Sequence, residues 1–276
     1  MSGAAALPMY DWPETRAATD ALWAAWRDRL RSRGIDAPDR LDRKTPSEAL
    51  WRNPGLLVAQ TCGAPLVDGR APGAQLVATP RYAAAGCEGP HYCSWIVVRR
   101  EDRAQSLAEL SGRRAAINCF GSLSGWWAFR AAGVRPGETI LTGAHRASAR
   151  AVAEGRAEMA AIDAVAWALL GAHEAETARA LKTVAATPRL PGLPLIAGAD
   201  RSSAEVSALR ESFLDIIAEP RLAPVRRALL LEGAAPLARE DYAQVARLIT
   251  SSTAHKLVSG DPANAPFRRS AAPQVP

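Results

Sequence analysis

No run of apolar residues in this 276-residue chain approaches the roughly 18 that a bilayer-crossing helix needs, so no membrane span is expected. The opening MSGAAALPMYDWPE lacks the basic n-region and the ~7–15-residue apolar core of a secretory leader. As written, the chain reads as cytoplasmic, and as periplasmic if the sequence has been trimmed. Lysine is nearly missing, with three among 34 cationic residues. The arginines that carry the net charge of +6 are scattered, and no dense basic block interleaves with aromatics. The charge suits an anionic ligand, and no nucleic-acid partner is expected. Cysteine is sparse as well: Cys62, Cys87, Cys93 and Cys119. Cys87, His91 and Cys93 lie close together in sequence. The paired C-x2-C spacing of zinc ribbons is absent and no second Cys/His pair follows, so the four read as reduced thiols and no metal site is expected.

With 48% hydrophobic and 22% charged residues, the composition is that of a globular chain with a sizeable core. Strand-like apolar runs alternate with helical patterns, which predicts an α/β fold. Ala6–Tyr10 reads as a strand. Pro13 then opens a helix carrying Leu22, Trp23, Trp26 and Leu30 at three-to-four spacing and stopped by Gly34. "TPSEAL" predicts a second helix with Thr45 as N-cap, Pro46 in the first turn and Glu48 completing a capping box. Strands are expected at Leu56–Gln60, Gln75–Thr79, Trp95–Arg99, Ala115–Asn118, Thr139–Thr142, Met159–Asp163 and Leu181–Ala185. Between them the pattern predicts short helices at Leu107–Leu110, from about Leu123, at Ala147–Glu154 and at Val165–His173. "TPRLPGLPLIAGA" reads as a crossing or hinge, and Ser203 to Val258 as helical with breaks near Pro220, Pro236 and Gly260. The closing "DPANAPFRRSAAPQVP" reads as a loose tail.

The stretch "INCFGSLSGWWAF" hands a strand over to a helix through small, uncharged residues. A helix start offers unpaired N–H groups and the positive end of the helix dipole, and small residues let an oxyanion reach them. No G-K-[ST] follows, so this is not a P-loop. Leu123 stands where a G-x-S-x-G nucleophile elbow needs serine. Two readings fit: an anion cradle, or Ser122 as an ordinary N-cap with Gly121 and Gly125 as turn residues.

Downstream, "HRASARAVAEGRAEMAAID" supplies His145, Ala151, Val152, Gly155, Ala157, Glu158, Ile162 and Asp163. Together with the loop, "GPHYCSWIVVR" and "SLAELSGRRAAIN", this run resembles the phosphonate-binding family of solute receptors, which has the type 2 periplasmic-binding-protein fold. The resemblance covers roughly residues 5–200. It implies an α/β protein of two lobes, each a mostly parallel sheet flanked by helices: residues 1–95 plus 190–276, and 96–189. A small phosphate- or phosphonate-like oxyanion would sit in the cleft between them, and an ABC permease is the implied partner. No cofactor is implied, and an enzyme is not the favoured reading. A small-molecule enzyme or a cytosolic sensor on the same fold is the alternative.

By the same resemblance, Ser122, Ser124 and the N–H groups of Gly125 and Trp126 would hold the oxyanion, with His145 donating to it. Asp163 would accept from a ligand hydroxyl, amine or protonated phosphonate oxygen, and Tyr10 and Tyr92 would close over the ligand. From the residues alone, Asp163 is equally a helix N-cap. Trp12, Trp95, Trp126 and Trp127 lie near expected cleft edges, where they stack on a ligand or pack the core.

Overall fold

The computed structural model describes residues 3–259. The strands, in chain order, are β1 (Ala5–Ala6), β2 (Val58–Gln60), β3 (Gln75–Tyr82), β4 (Cys87–Glu88), β5 (His91–Tyr92), β6 (Ser94–Arg99) and β7 (Ala115–Ile117), followed by β8 (Thr139–Leu141), β9 (Met159–Asp163), β10 (Leu181–Ala186), β11 (Leu190–Pro191), β12 (Leu195–Ala197) and β13 (Leu231–Ala235). They form a first sheet in the order β1-β2-β12-β3-β13, a second in the order β10-β6-β9-β7-β8, and a small ladder β11-β5-β4.

Successive strand residues face opposite sides of each sheet, and both sides are covered. In the first sheet Ala5, Val58, Val77 and Leu195 pack with Trp23, Trp26 and Phe213, while Ala6, Ala59 and Ile196 pack with Leu56, Tyr242 and Val245. The second sheet divides likewise, Ile96, Val98 and Ile117 on one side and Val97, Ala160 and Ile162 on the other. The α/β expectation holds. The sheets are mixed, however, not mostly parallel: β1/β2, β7/β8 and β7/β9 run parallel, and the other pairs in the two sheets run antiparallel. The cause is the path of the chain. It passes from β3 of the first sheet to β6 of the second and returns from β10 to β12, so β6 and β12 enter their sheets reversed.

The helix Arg16–Ser32 buries Leu22, Trp23, Trp26 and Leu30, and Gly34 ends it at φ +78°, where a side chain would be strained. Several expectations need correction. The first strand is only Ala5–Ala6, because Pro8 follows and Tyr10 turns at φ +67°. Thr45 does not cap the helix Ser47–Trp51; the residue before it is Pro46, and Asp42 Oδ1 instead takes the N–H groups of Lys44 and Thr45. The proline-rich crossing contains β12, a central strand. Its register shift between Leu195 and Ile196 lets a short strand pair on both edges despite the prolines before it. Within Ser203–Val258 lies β13, which pairs with Arg81, Pro80 and Thr79 across another irregularity. The break at Gly260 and the tail Asp261–Pro276 lie outside the described residues.

Candidate functional site

β7 delivers the chain to Asn118. A turn closed by the Ser122 N–H on the Cys119 carbonyl (3.1 Å) leads into one wide turn, Leu123–Trp127, and then the helix Ala128–Ala131. Ser122 caps this turn, its Oγ accepting the Gly125 N–H at 2.9 Å. Its carbonyl accepts both the Trp126 N–H (3.1 Å) and the Trp127 N–H (3.0 Å). The N–H groups of Gly125 and Trp126 are thus hydrogen-bonded within the loop. The Ser122 hydroxyl still has its own proton to donate.

Ser124 follows with its Oγ 2.7 Å from His145 Nε2, and Ser94 Oγ donates to the Ser124 carbonyl at 2.9 Å. β6 and the start of the helix His145–Ala153 therefore fix this serine from two sides. Burial pushes the His145 imidazole down to about 4, which keeps it neutral at pH 7. Its Nδ1 is buried and has no hydrogen-bond partner. Tyr92, at the end of β5, has its buried hydroxyl beside Ser124 without a hydrogen bond of good geometry, and burial raises its pKa well above the usual phenol value. A buried donor without an acceptor costs about 1–3 kcal/mol, which an acceptor-rich ligand would recover.

Asp163 closes β9. Its Oδ1 accepts the N–H groups of Val165 (2.8 Å) and Ala166 (3.0 Å), capping the helix Ala164–His173, while Oδ2 accepts the Tyr10 hydroxyl at 2.8 Å. Burial raises its carboxyl to about 6 against the lowering effect of those hydrogen bonds. Tyr10 stacks edge-on against Tyr82 with ring centroids 5.3 Å apart, and Gln60 Nε2 donates to the Tyr82 hydroxyl at 3.0 Å. Strand ends of both sheets thus converge on Ser124, His145, Asp163, Tyr92 and Tyr10.

The tryptophans have other company. Trp12 lies under the Arg146 guanidinium at 4.7 Å, and Trp95 Nε1 donates to the Ala85 carbonyl at 3.2 Å. Trp126 meets Phe120 edge-on at 5.1 Å, and Trp127 packs beside Leu123 with its Nε1 buried and unpaired.

Sequence reasoning missed three supporting residues. Ser94 stood inside the quoted "GPHYCSWIVVR" run, so its signal was present but carried no role. Arg70, paired with Asp68, reaches across to the Gly121 carbonyl at 2.7 Å. Asn118 lies so close to Gly125 that any Cβ there would collide with it. Arg70 sits in no motif, and Asn118, although inside two of the quoted runs, carried no role there. Among the described residues, no group of three or more His, Cys, Asp or Glu side chains is placed to hold a metal ion.

Residues 56–242 match the model of a family described as the ABC transporter, phosphonate, periplasmic substrate-binding protein, and the chain belongs to that family. Membership carries the role of a solute-binding protein, not an enzyme, in a family that is periplasmic. No helix among the described residues is long and apolar enough to cross a membrane. No curated protein matches the chain. Among solved structures, a binding-protein component of an ABC phosphonate transporter from Pseudomonas aeruginosa is similar, with a TM-score of 0.74, 17% identity, and 96% of this chain and 91% of that one covered. PhnD1 from Prochlorococcus marinus, solved with methylphosphonate, gives 0.72 at 14% identity over 91% and 98% of the two chains. A Xanthomonas citri protein solved with ATP gives 0.67 at 16% identity over 92% and 99%. At these identities the likeness is one of fold.

Proposed function

We propose that this chain holds a small phosphate- or phosphonate-like oxyanion between its two sheets and presents it to an ABC permease. Lobe one is residues 1–95 with 190–276, and lobe two is 96–189. The observation that carries the reading is the Ser124–His145 contact at 2.7 Å, set beside the partnerless Tyr92 hydroxyl. The Ser124–His145 bond runs in either direction with the tautomer; in the ligand-bound form of this proposal the imidazole proton sits on Nε2, so that His145 donates to Ser124 Oγ and the serine hydroxyl donates to the anion. Tyr92 and Ser122 add two further neutral donors. Neutral hydroxyls in a buried site recognise an oxyanion by directed hydrogen bonds and leave it free to depart. Asp163, whose Oδ2 accepts the Tyr10 hydroxyl, would also accept from a ligand hydroxyl, amine or protonated phosphonate oxygen. Tyr10 closes the site from lobe one. The geometry suits capture and release by hinge closure.

The reading is tested by thermal unfolding with phosphate, sulfate, methylphosphonate and aminoethylphosphonate. A ligand at about 100 times its dissociation constant adds about 2.7 kcal/mol to the folded state, a shift of several degrees for a chain of this size. A shift with phosphate or a phosphonate and none with sulfate is expected. The absence of any shift would overturn the reading.

A further inference from the structure

The loop that follows β7 belongs to the second sheet, yet two of its residues are seated on the first. Leu123 is buried with Ala64, Leu66 and Tyr242 in the cluster that covers Ala6, Ala59 and Ile196. Two residues before it, the Gly121 carbonyl accepts Arg70 Nη2 at 2.7 Å. Arg70 stands in the turn between the helix Gly63–Val67 and β3. The Asp68 N–H on the Ala64 carbonyl and the Ala71 N–H on the Pro65 carbonyl, both at 3.0 Å, tie that turn to its helix.

Asp68 sets the guanidinium before it reaches the loop. Arg70 Nε lies 3.0 and 2.9 Å from the two Asp68 oxygens, and Nη2 lies 2.6 Å from Oδ2. Nη2 carries two N–H groups, so one serves Asp68 and the other the Gly121 carbonyl. The two-pronged pair matches the guanidinium charge, so a free anion gains little from it. What Arg70 adds to the loop is direction. The Gly121 carbonyl and the Ser122 N–H belong to one planar peptide unit. Arg70 holds its oxygen from the first sheet, and the Cys119 carbonyl holds its N–H at 3.1 Å within the loop. The unit that leads into Ser122 is thus pinned at both ends. Only glycine fits there, because a Cβ at Gly121 would collide with the guanidinium.

We propose that Arg70 is a latch between the two lobes: its bond to Gly121 forms as the cleft closes, sets Ser122 and Ser124 against the ligand, and slows the ligand's release. The inference rests on the oxyanion reading and the lobe division above, with Arg70 in lobe one and Gly121 in lobe two. Opening the cleft carries Gly121 away from a turn tied to the other lobe, so the bond breaks before the ligand leaves. A contact made in the closed state alone changes the rate of opening and leaves the encounter with the open state as it was. Arg70 is a positioning residue; it touches the loop and not the ligand.

The test is stopped-flow tryptophan fluorescence with phosphate and methylphosphonate on the full chain, as wild type, Arg70→Ala and Asp68→Ala, with melting curves alongside. Trp126 and Trp127 end the loop's wide turn and report on it. In Arg70→Ala the release rate should rise roughly five- to thirtyfold, with the association rate within about twofold of wild type. Asp68→Ala leaves the cation and removes the group that orients it. A latch predicts faster release there too, whereas a cation that attracts the anion predicts tighter binding. Should Arg70→Ala not fold, Gly121→Ala displaces the guanidinium and should speed release in the same way. Unchanged release in the folded variant, slower association in place of faster release, or tighter binding in Asp68→Ala overturns the latch and leaves the oxyanion reading standing. Binding of neither anion by the wild type overturns the oxyanion reading, and the latch with it.

Discussion

The Tyr10 hydroxyl donates to Asp163 Oδ2 at 2.8 Å, joining the turn after β1 in one sheet to the end of β9 in the other. Removing the hydroxyl leaves a buried carboxyl with one acceptor oxygen unmatched. Tyr10→Phe should therefore destabilise the chain by about 1–2 kcal/mol, read as a lower urea midpoint at unchanged slope. No loss of stability would mean that the two sheets are held together elsewhere.

One such place is Arg146, which reaches from the second sheet's helix to Glu14 at 2.7 and 2.9 Å, pairs with Glu174 and covers the Trp12 ring. The guanidinium hydrogen bond holds the Glu14 carboxyl at about 2. A depressed carboxyl stabilises above its ordinary value and loses that contribution as pH falls toward 2. Glu14→Gln should lower the urea midpoint at neutral pH, with the gap from wild type closing between pH 4.5 and 2. Arg146→Met should lower it further, since Trp12 loses its cation and Glu174 keeps only Arg150 and Thr177.

His145 and Asp163 titrate in opposite senses. Burial depresses the histidine to about 4, so its contribution is full above 6.5 and is lost as pH falls toward 4. Burial raises the aspartate to about 6, so its contribution is full below about 4 and is lost as pH rises through 6. Each amounts to something on the order of 2–3 kcal/mol at full titration. In a melting series from pH 7 to pH 4, the margin of wild type over His145→Gln should shrink, and its margin over Asp163→Asn should grow. Parallel curves for the three proteins would contradict the burial of both groups.

A Cβ at Gly125 would strike the Asn118 side chain and press on Ser122 Oγ. Gly125→Ala should therefore cost about 1–3 kcal/mol and displace the loop, so that oxyanion binding falls more steeply than stability does. Comparing binding with melting in this variant separates a rigid loop from one that yields.

Most of the fold was legible where local pattern and burial agree. The spacing of Leu22, Trp23, Trp26 and Leu30 gave the first helix, and the Met159–Asp163 run gave β9 to the residue. β12 and β13 were missed because three- and five-residue strands beside proline owe their pairing to neighbours that are distant in sequence, β3 above all. The parallel expectation failed for a related reason, since strand direction depends on the two crossings between sheets. At the site, Ser94 and Asn118 stood inside recognised runs yet showed no role, and Arg70 stood outside them. Arg70 and Asn118 act through contacts with Gly121 and Gly125 that only the folded chain creates. The hydrogen bonds of the Gly125 and Trp126 N–H groups likewise depend on a wide turn that sequence alone does not announce.

The central claim is that Ser124, set by His145, donates to a bound oxyanion. Its most direct measurement is titration calorimetry of phosphate and methylphosphonate on the wild type and on Ser124→Ala, with melting curves to confirm that both are folded. A buried hydrogen bond to a charged ligand contributes about 1.5–3 kcal/mol, so the variant should bind roughly 10- to 150-fold more weakly while staying folded, its melting point lowered by the few degrees that an unpaired His145 Nε2 costs. Equal affinity in the two proteins would contradict the account, since the loop would then be a turn and the ligand would lie elsewhere.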